Sequence, residues 1–394
     1  EQRGARFFFE HEVTAIDFEA MCATYKGRSG SVSMKCDVFF GADGVGSPTR
    51  TMMLNKLQSE GVVATERMER LGISYKEVTF PSVATSSSGG GYSMDPRGLH
   101  IWPRGAHFLM ALADKNGTFT GTLYLPDGSA PLPVVPDASV PTFQSLGTDI
   151  AATEAYIKQF YPDVPSLVPN VVEQLTQRPH GLLATLRTTH WHYRGKVCLF
   201  GDSAHGVVPF FGQGMNCAFE SITILYRYLC QLGLGRETTE AVFRMYESQH
   251  KASGVAIADM AIENFAEMSY KVSLPEFLRA KAIENAVEAT YPTLLRSRYW
   301  MVTKSLIPYA LVKAAGVHVD RCVAEIAKAI EEAIQKEAAA GRGGALNFLG
   351  AVPEQVVRDA IAKHVTPFFL EHGIDIGNAS KEYYPQKKVT SHMQ

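Results

Sequence analysis

Twice along this chain a short apolar run closes on glycine and delivers an aspartate from its far end. The first is Val38-Phe39-Phe40-Gly41-Ala42-Asp43-Gly44, which leads on to Arg50. The second is Val197-Cys198-Leu199-Phe200-Gly201-Asp202, followed by Ser203-Ala204-His205. Runs this short and apolar read as strands covered on both faces, as in a parallel sheet. The carboxyl ends of such strands are where open α/β sheets hold their ligands. Glycines there let backbone approach a bound group, and a carboxylate accepts from ribose or ribityl hydroxyls. A tight turn with an Asx cap is the plainer alternative for Asp43.

The second motif continues as Val208-Pro209-Phe210-Phe211-Gly212-Gln213-Gly214-Met215-Asn216 and opens a helix expected over 215–232. Free N–H groups at Gly214, Met215 and Asn216 would sit at the positive end of that helix. Such a terminus suits an anion, or charge that develops on a ligand.

Between the motifs, strands are expected over 73–80, 99–102, 108–112 and 119–125, at spacings that suggest an antiparallel sheet. Strands are also expected within 5–40. Ser86 to Gly91 reads as a loop, and 126–141 as a proline-rich surface excursion. Beyond the second motif, apolar residues at helical spacing predict helices over 239–251 and 257–268, a further one carrying Val323, Ile326, Ile330 and Ile334, and another starting at Pro353. Gly341 to Gly344 reads as a break between the last two.

The chain has 394 residues, 46% of them hydrophobic and 20% charged, enough for two or three domains with sizeable cores. Lysine plus arginine number 38 against 40 acidic residues, so no basic excess exists to bind nucleic acid or an anionic membrane. No apolar run is long enough to read as a spanning helix. The six cysteines are scattered without a C-x-x-C pair, and the histidines offer no close ligand spacing, so buried reduced cysteines and no metal site are expected. Gly201-Asp202-Ser203-Ala204-His205 is a poor match to a hydrolase nucleophile elbow, because serine is third and the fifth residue is not glycine. His205 reads as a packing residue or a support for its neighbours.

These residues resemble the class A flavoprotein monooxygenases. Gly41-Ala42-Asp43-Gly44 is similar to their DG motif, and Gly201-Asp202 with Pro209 and Gly212 to Asn216 to their GD motif. Within that group the chain resembles the kynurenine-hydroxylating branch. Leu99 to Arg104, Thr118 to Thr120 with Thr122-Leu123, Val208 to Asn216, Asn264 to Met268, and Tyr299 to Thr303 carry that likeness. It covers about residues 7 to 308.

The resemblance implies a mixed α/β fold of the para-hydroxybenzoate-hydroxylase type, lacking its first βαβ unit. It assigns 1–70 and 186–235 to the FAD domain, 71–185 to a substrate domain with an antiparallel sheet, 236–320 to a helical pocket region, and 321–394 to C-terminal helices of unassigned role. It implies FAD as cofactor, NADPH as reductant, L-kynurenine and O2 as substrates, and a location in the cytoplasm or on the mitochondrial outer membrane. Asp202 is then the ribityl-binding aspartate, Asp43 lies near the cofactor, and Gly214, Met215 and Asn216 face the flavin ring. Asn264 and Tyr299 hold the substrate carboxylate, while Phe210 and Phe211 shape the aromatic pocket. No side-chain base is expected, since the aniline nitrogen of kynurenine itself activates the ring. No G-x-G-x-x-G spacing opens the chain. The expectation is therefore that the sequence begins inside the FAD domain and that this stretch alone is inactive. A phenol hydroxylase of the same class, or a fragment that binds no FAD, is the alternative reading.

Overall fold

The computed structural model describes residues 4–28, 30–83, 91–127, 140–233, 235, 237–340 and 349–379. Most of the expected loop at Ser86 to Gly91, most of the 126–141 excursion and the Gly341 to Gly344 break lie outside the described residues. The chain divides into two compact units, Glu1–Tyr270 and Lys271–Gln394.

Among the described residues the first unit holds three sheets. An antiparallel meander joins β1 (Glu12–Asp17), β2 (Cys22–Gly27) and β3 (Gly30–Lys35). The two motif strands, β4 (Phe39–Gly41) and β11 (Val197–Leu199), lie side by side and parallel, with Val197 opposite Phe39 and Leu199 opposite Gly41. The short β10 (His192–Tyr193) flanks β11 antiparallel. The largest sheet is antiparallel, in the order β6-β7-β8-β5-β9. Its strands are β5 (Glu66–Phe80), β6 (His100–Pro103), β7 (Phe108–Ala113), β8 (Phe119–Pro126) and β9 (Gly181–Thr188).

Alternation along these strands serves two cores, because successive side chains point to opposite faces. Val78, Phe80, Leu109, Phe119, Leu123 and Leu125 face Tyr156, Ile157, Tyr161 and Leu175. Those partners come from the segment with α2 (Phe143–Leu146), α3 (Ile150–Phe160), α4 (Val164–Leu167) and α5 (Val171–Gln177). On the opposite face Ile73, Phe108 and Tyr124 pack with Val208, Phe210 and Phe265. That second face lies toward the glycine loop.

The remaining helices of this unit are α1 (Pro48–Ser59), α6 (Asp202–His205), α7 (Gly214–Leu232) and α8 (Thr239–Ser269). The two helices expected over 239–251 and 257–268 are one continuous helix, α8. Its interior Gly254 marks close packing and not a break. A Cβ there would lie 3.0 Å from the Trp191 ring and 3.2 Å from His205 Cβ. The buried cysteines are Cys198, Cys217 and Cys322; Cys22 and Cys36 are half-buried and Cys230 is exposed, so burial of all six does not hold.

The second unit is helical. It holds α9 (Pro275–Thr290), α10 (Arg298–Lys304), α11 (Tyr309–Ala339), α12 (Glu354–His364) and α13 (Thr366–Glu371). Val323, Ile326 and Ile330 are buried on α11, whereas Ile334 is 43% exposed, so the apolar stripe ends one turn early. The expected boundary between 320 and 321 falls inside α11. No described helix is long and apolar enough to cross a membrane.

Candidate functional site

The parallel pairing of β4 with β11 brings both glycine loops to the same end of one sheet. The Phe200 N–H donates to the Gly41 carbonyl at 3.1 Å, and the Ser203 hydroxyl lies 2.5 Å from the same oxygen. A Cβ at Gly41 would meet the Leu199 side chain at 2.6 Å and that of Thr49 at 3.1 Å, so any larger residue would have to push the buried Leu199 aside. Ser203 is thus committed to backbone carbonyls, which removes it as a nucleophile.

The two aspartates are used differently. Asp43 accepts from the Ser47 hydroxyl and, at 2.9 Å, from the Thr49 N–H. Ser47 in turn caps α1 by accepting from the Arg50 N–H at 2.9 Å. Asp43 therefore closes its own loop. The carboxylate of Asp202 has no hydrogen-bond or ion-pair partner among the described residues. Although Asp202 is exposed to solvent, the protein around its carboxylate displaces part of its water with no donor to offset the loss, which pushes the carboxyl above the ordinary range.

Arg50 joins the two loops. It is 2% exposed, ion-pairs with Glu66, and donates to the Ser203 carbonyl at 3.0 Å and the Val45 carbonyl at 2.7 Å. In the sequence Arg50 only marks the end of the first motif. Its link to a residue 153 positions away has no local signal.

At the start of α7 the first backbone bond runs from Cys217 N–H to the Gln213 carbonyl at 2.8 Å. The N–H groups of Gly214, Met215 and Asn216 have no acceptor among the described residues. Met215 is 69% exposed, and the Asn216 amide donates back to the Gln213 side chain at 3.1 Å.

A cavity of about 390 Å³ opens between these loops and the large sheet. Val45 and Asp202 line it from the two motifs, Tyr75, Thr122 and Tyr124 from the sheet, and Pro209 from the loop. The sheet residues carry no signal in the sequence, because alternation alone does not say which face meets a ligand. Phe210 stands behind this wall. It is buried, with its ring centroid 5.2 Å from Tyr124, 5.0 Å from Phe265 and 5.9 Å from Phe108. Phe211 is half-buried against the same cluster. Asn264 on α8 donates to the Phe210 carbonyl at 2.8 Å, and its amide nitrogen lies 3.5 Å from Met268 Sδ.

Asp43, Asp202, Phe210, Phe211, Gly214, Met215, Asn216 and Asn264 thus all belong to the first unit. Tyr299, 57% exposed, lies on α10 of the second. His205 is buried, bonded to the Ser221 hydroxyl at 2.7 Å, and burial lowers its pKa to about 4. It is a neutral, packed imidazole and does not line the cavity.

Residues 167–261, which contain Asp202 and the α7 start, match an FAD binding domain family. The chain is 36% identical to kynurenine 3-monooxygenase of Myxococcus xanthus, over 93% of this chain and 71% of that protein. It is also 36% identical to the Stenotrophomonas maltophilia enzyme of the same name, over 79% of this chain and 63% of that protein. The chain thus spans about two thirds of the length of these relatives. Klebsiella pneumoniae HpxO, solved with FAD and uric acid, shares 19% identity over 64% of this chain and 57% of that one, with a TM-score of 0.47. On the sequence identity and its extent, this chain belongs to the kynurenine 3-monooxygenase family.

Proposed function

We propose that this sequence carries the cofactor- and substrate-binding elements of an FAD-dependent hydroxylase that converts L-kynurenine to 3-hydroxykynurenine, with NADPH as reductant and O2 as oxidant. One observation supports this most. The unpaired Asp202 and the unpaired N–H groups of Gly214 to Asn216 belong to one loop-and-helix segment beside an aromatic-lined cavity, in a chain of this family. These are groups that a flavin would satisfy, with ribityl hydroxyls on the carboxylate and a charged ring edge at the helix start. Bound FAD would supply the hydride and oxygen chemistry.

The protein's part is binding, orientation and exclusion of water. The N–H groups at the helix start would stabilise negative charge on a bound flavin ring. Asp43 acts through its loop, because its carboxylate is already spent on Ser47 and Thr49. Phe210 and Phe211 keep the pocket apolar. Asn264 holds the Phe210 carbonyl and still has an N–H, now toward Met268 sulfur, to offer a substrate carboxylate. Tyr299 is the second residue that the family likeness assigns to that carboxylate. Segments 1–70 and 186–235 then form the cofactor side, and 71–185 the substrate sheet.

The test is turnover by the intact protein. Kynurenine should speed NADPH oxidation and yield 3-hydroxykynurenine, and Tyr299→Phe should raise KM by about tenfold without changing flavin content, as expected for about 1.5 kcal/mol lost with one hydrogen bond to a charged group. Hydroxylation of a phenol in place of kynurenine would refute the substrate assignment.

A further inference from the structure

The GD-motif histidine closes a cluster that the flavin chemistry does not use. His205 on α6, Cys217 in the opening turns of α7 and His250 on α8 converge in the interior, at 4%, 0% and 1% exposure. Cys217 Sγ lies 3.7 Å from His205 Nδ1 and 3.8 Å from His250 Nε2. The three atoms all fall within 4.8 Å of one another. A tetrahedral zinc with bonds of about 2.3 Å to sulfur and 2.0–2.1 Å to nitrogen sets S···N at about 3.6 Å, so little movement separates this cluster from a site.

Two surrounding groups point the same way. Ser221 donates to the Cys217 carbonyl at 3.0 Å and therefore accepts from His205 Nε2, 2.7 Å away. That bond leaves the Nδ1 lone pair facing the sulfur, the tautomer a ligand needs. Tyr246, fully buried on α8, keeps its hydroxyl without a hydrogen-bond partner among the described residues. The Tyr246 and His250 rings are neighbours at 6.0 Å, and the Trp191 ring packs over His205 at 5.1 Å and His250 at 6.0 Å. A metal held on the three converging atoms would engage the thiolate and both imidazoles at once.

We propose that His205, Cys217 and His250 bind a zinc ion, with a water oxygen completing the coordination. The oxygen selects Zn²⁺ over Cu⁺, whose preference is for soft ligands. On binding, Cys217 releases its thiol proton to solvent and the thiolate sulfur forms the Zn–S bond; no oxidation state changes. The ion would pin α6, α7 and α8 together behind the flavin-facing helix start. The two histidines lie 12 and 33 positions from Cys217, beyond any finger-type spacing.

The intact protein, stripped of metal and titrated with ZnCl2, should take up one ion per chain and show a higher melting temperature. CoCl2 should give a thiolate charge-transfer band. Cys217→Ser and His250→Gln should each abolish stoichiometric uptake. If the two ligand variants do not fold, the cobalt spectrum of the unmutated protein decides. Folded protein that gives no thiolate band, zinc uptake unchanged by Cys217→Ser, or uptake of Cu⁺ with zinc excluded would each overturn the proposal.

Discussion

The DG and GD loops carry the same local signal, an aspartate after a strand and a glycine, yet the fold employs them in opposite ways. Asp43 spends both oxygens on Ser47 and Thr49 and so holds its own loop. Asp202, at the neighbouring strand end, accepts nothing among the described residues. The difference lies in the chain immediately after each aspartate. Past Asp43 it turns through Ser47 and Pro48 into α1, whose entry needs capping. Past Asp202 it enters the four-residue α6, with no side-chain cap at its start, and then a long loop. One carboxylate is structural by proximity, and the other has no partner among the described residues.

The strongest way to break this comparison is to cut the tie between the loops. Arg50→Met strands Glu66 and the Ser203 and Val45 carbonyls, and should destabilise the protein by about 3 kcal/mol, less than for a wholly buried pair because Glu66 is partly solvated. Urea unfolding that shows no shift in midpoint would mean the loops do not depend on each other. Next in size, Asp202→Ala should weaken FAD binding about ten- to hundredfold, as expected for roughly 1.5–3 kcal/mol from a charged hydrogen bond, and leave the unfolding midpoint almost unmoved.

Asp43→Ala sharpens the contrast from the other side. It should cost about 1 kcal/mol of stability, the scale of a lost cap, and reduce FAD affinity less than Asp202→Ala does. Fluorescence titration with FAD compares the two variants, and the reverse order would exchange the roles assigned to the two aspartates. The smallest effect concerns pH. Because the folded-state pKa of Asp202 is raised, its contribution to stability is present below the ordinary carboxylate pKa and is lost as pH rises through the folded value. Asp202→Asn should therefore be slightly more stable than the parent at neutral pH, with the advantage fading in acid. Melting curves that are parallel at all pH values would show that the carboxylate is not desolvated.

Much of the fold is legible in the residues. Strands β6, β7 and β8 fall within a residue or so of the expected ranges, because alternation and turn residues are local properties. The α7 start is visible for the same reason. Helix α8 is expected as two helices, 239–251 and 257–268, and the close approach of Trp191 and His205 accounts for the glycine inside the single helix observed. Asn264 is readable as a polar residue on a helix, but its bond to the Phe210 carbonyl spans 54 positions and leaves no local trace.

By itself, the sequence determined the two strand-loop motifs, the helix start, the antiparallel character of the large sheet and the family likeness. All of these rest on short-range periodicity, on turn chemistry or on the residues of a motif. The tertiary structure alone decided which aspartate stays free, that Arg50 links the loops, which sheet residues line the cavity, and that His205, Cys217 and His250 meet. Hydrogen bonds and ligand sets depend on distance in space, and the parallel pairing of β4 with β11 brings together residues that the chain keeps more than 150 positions apart.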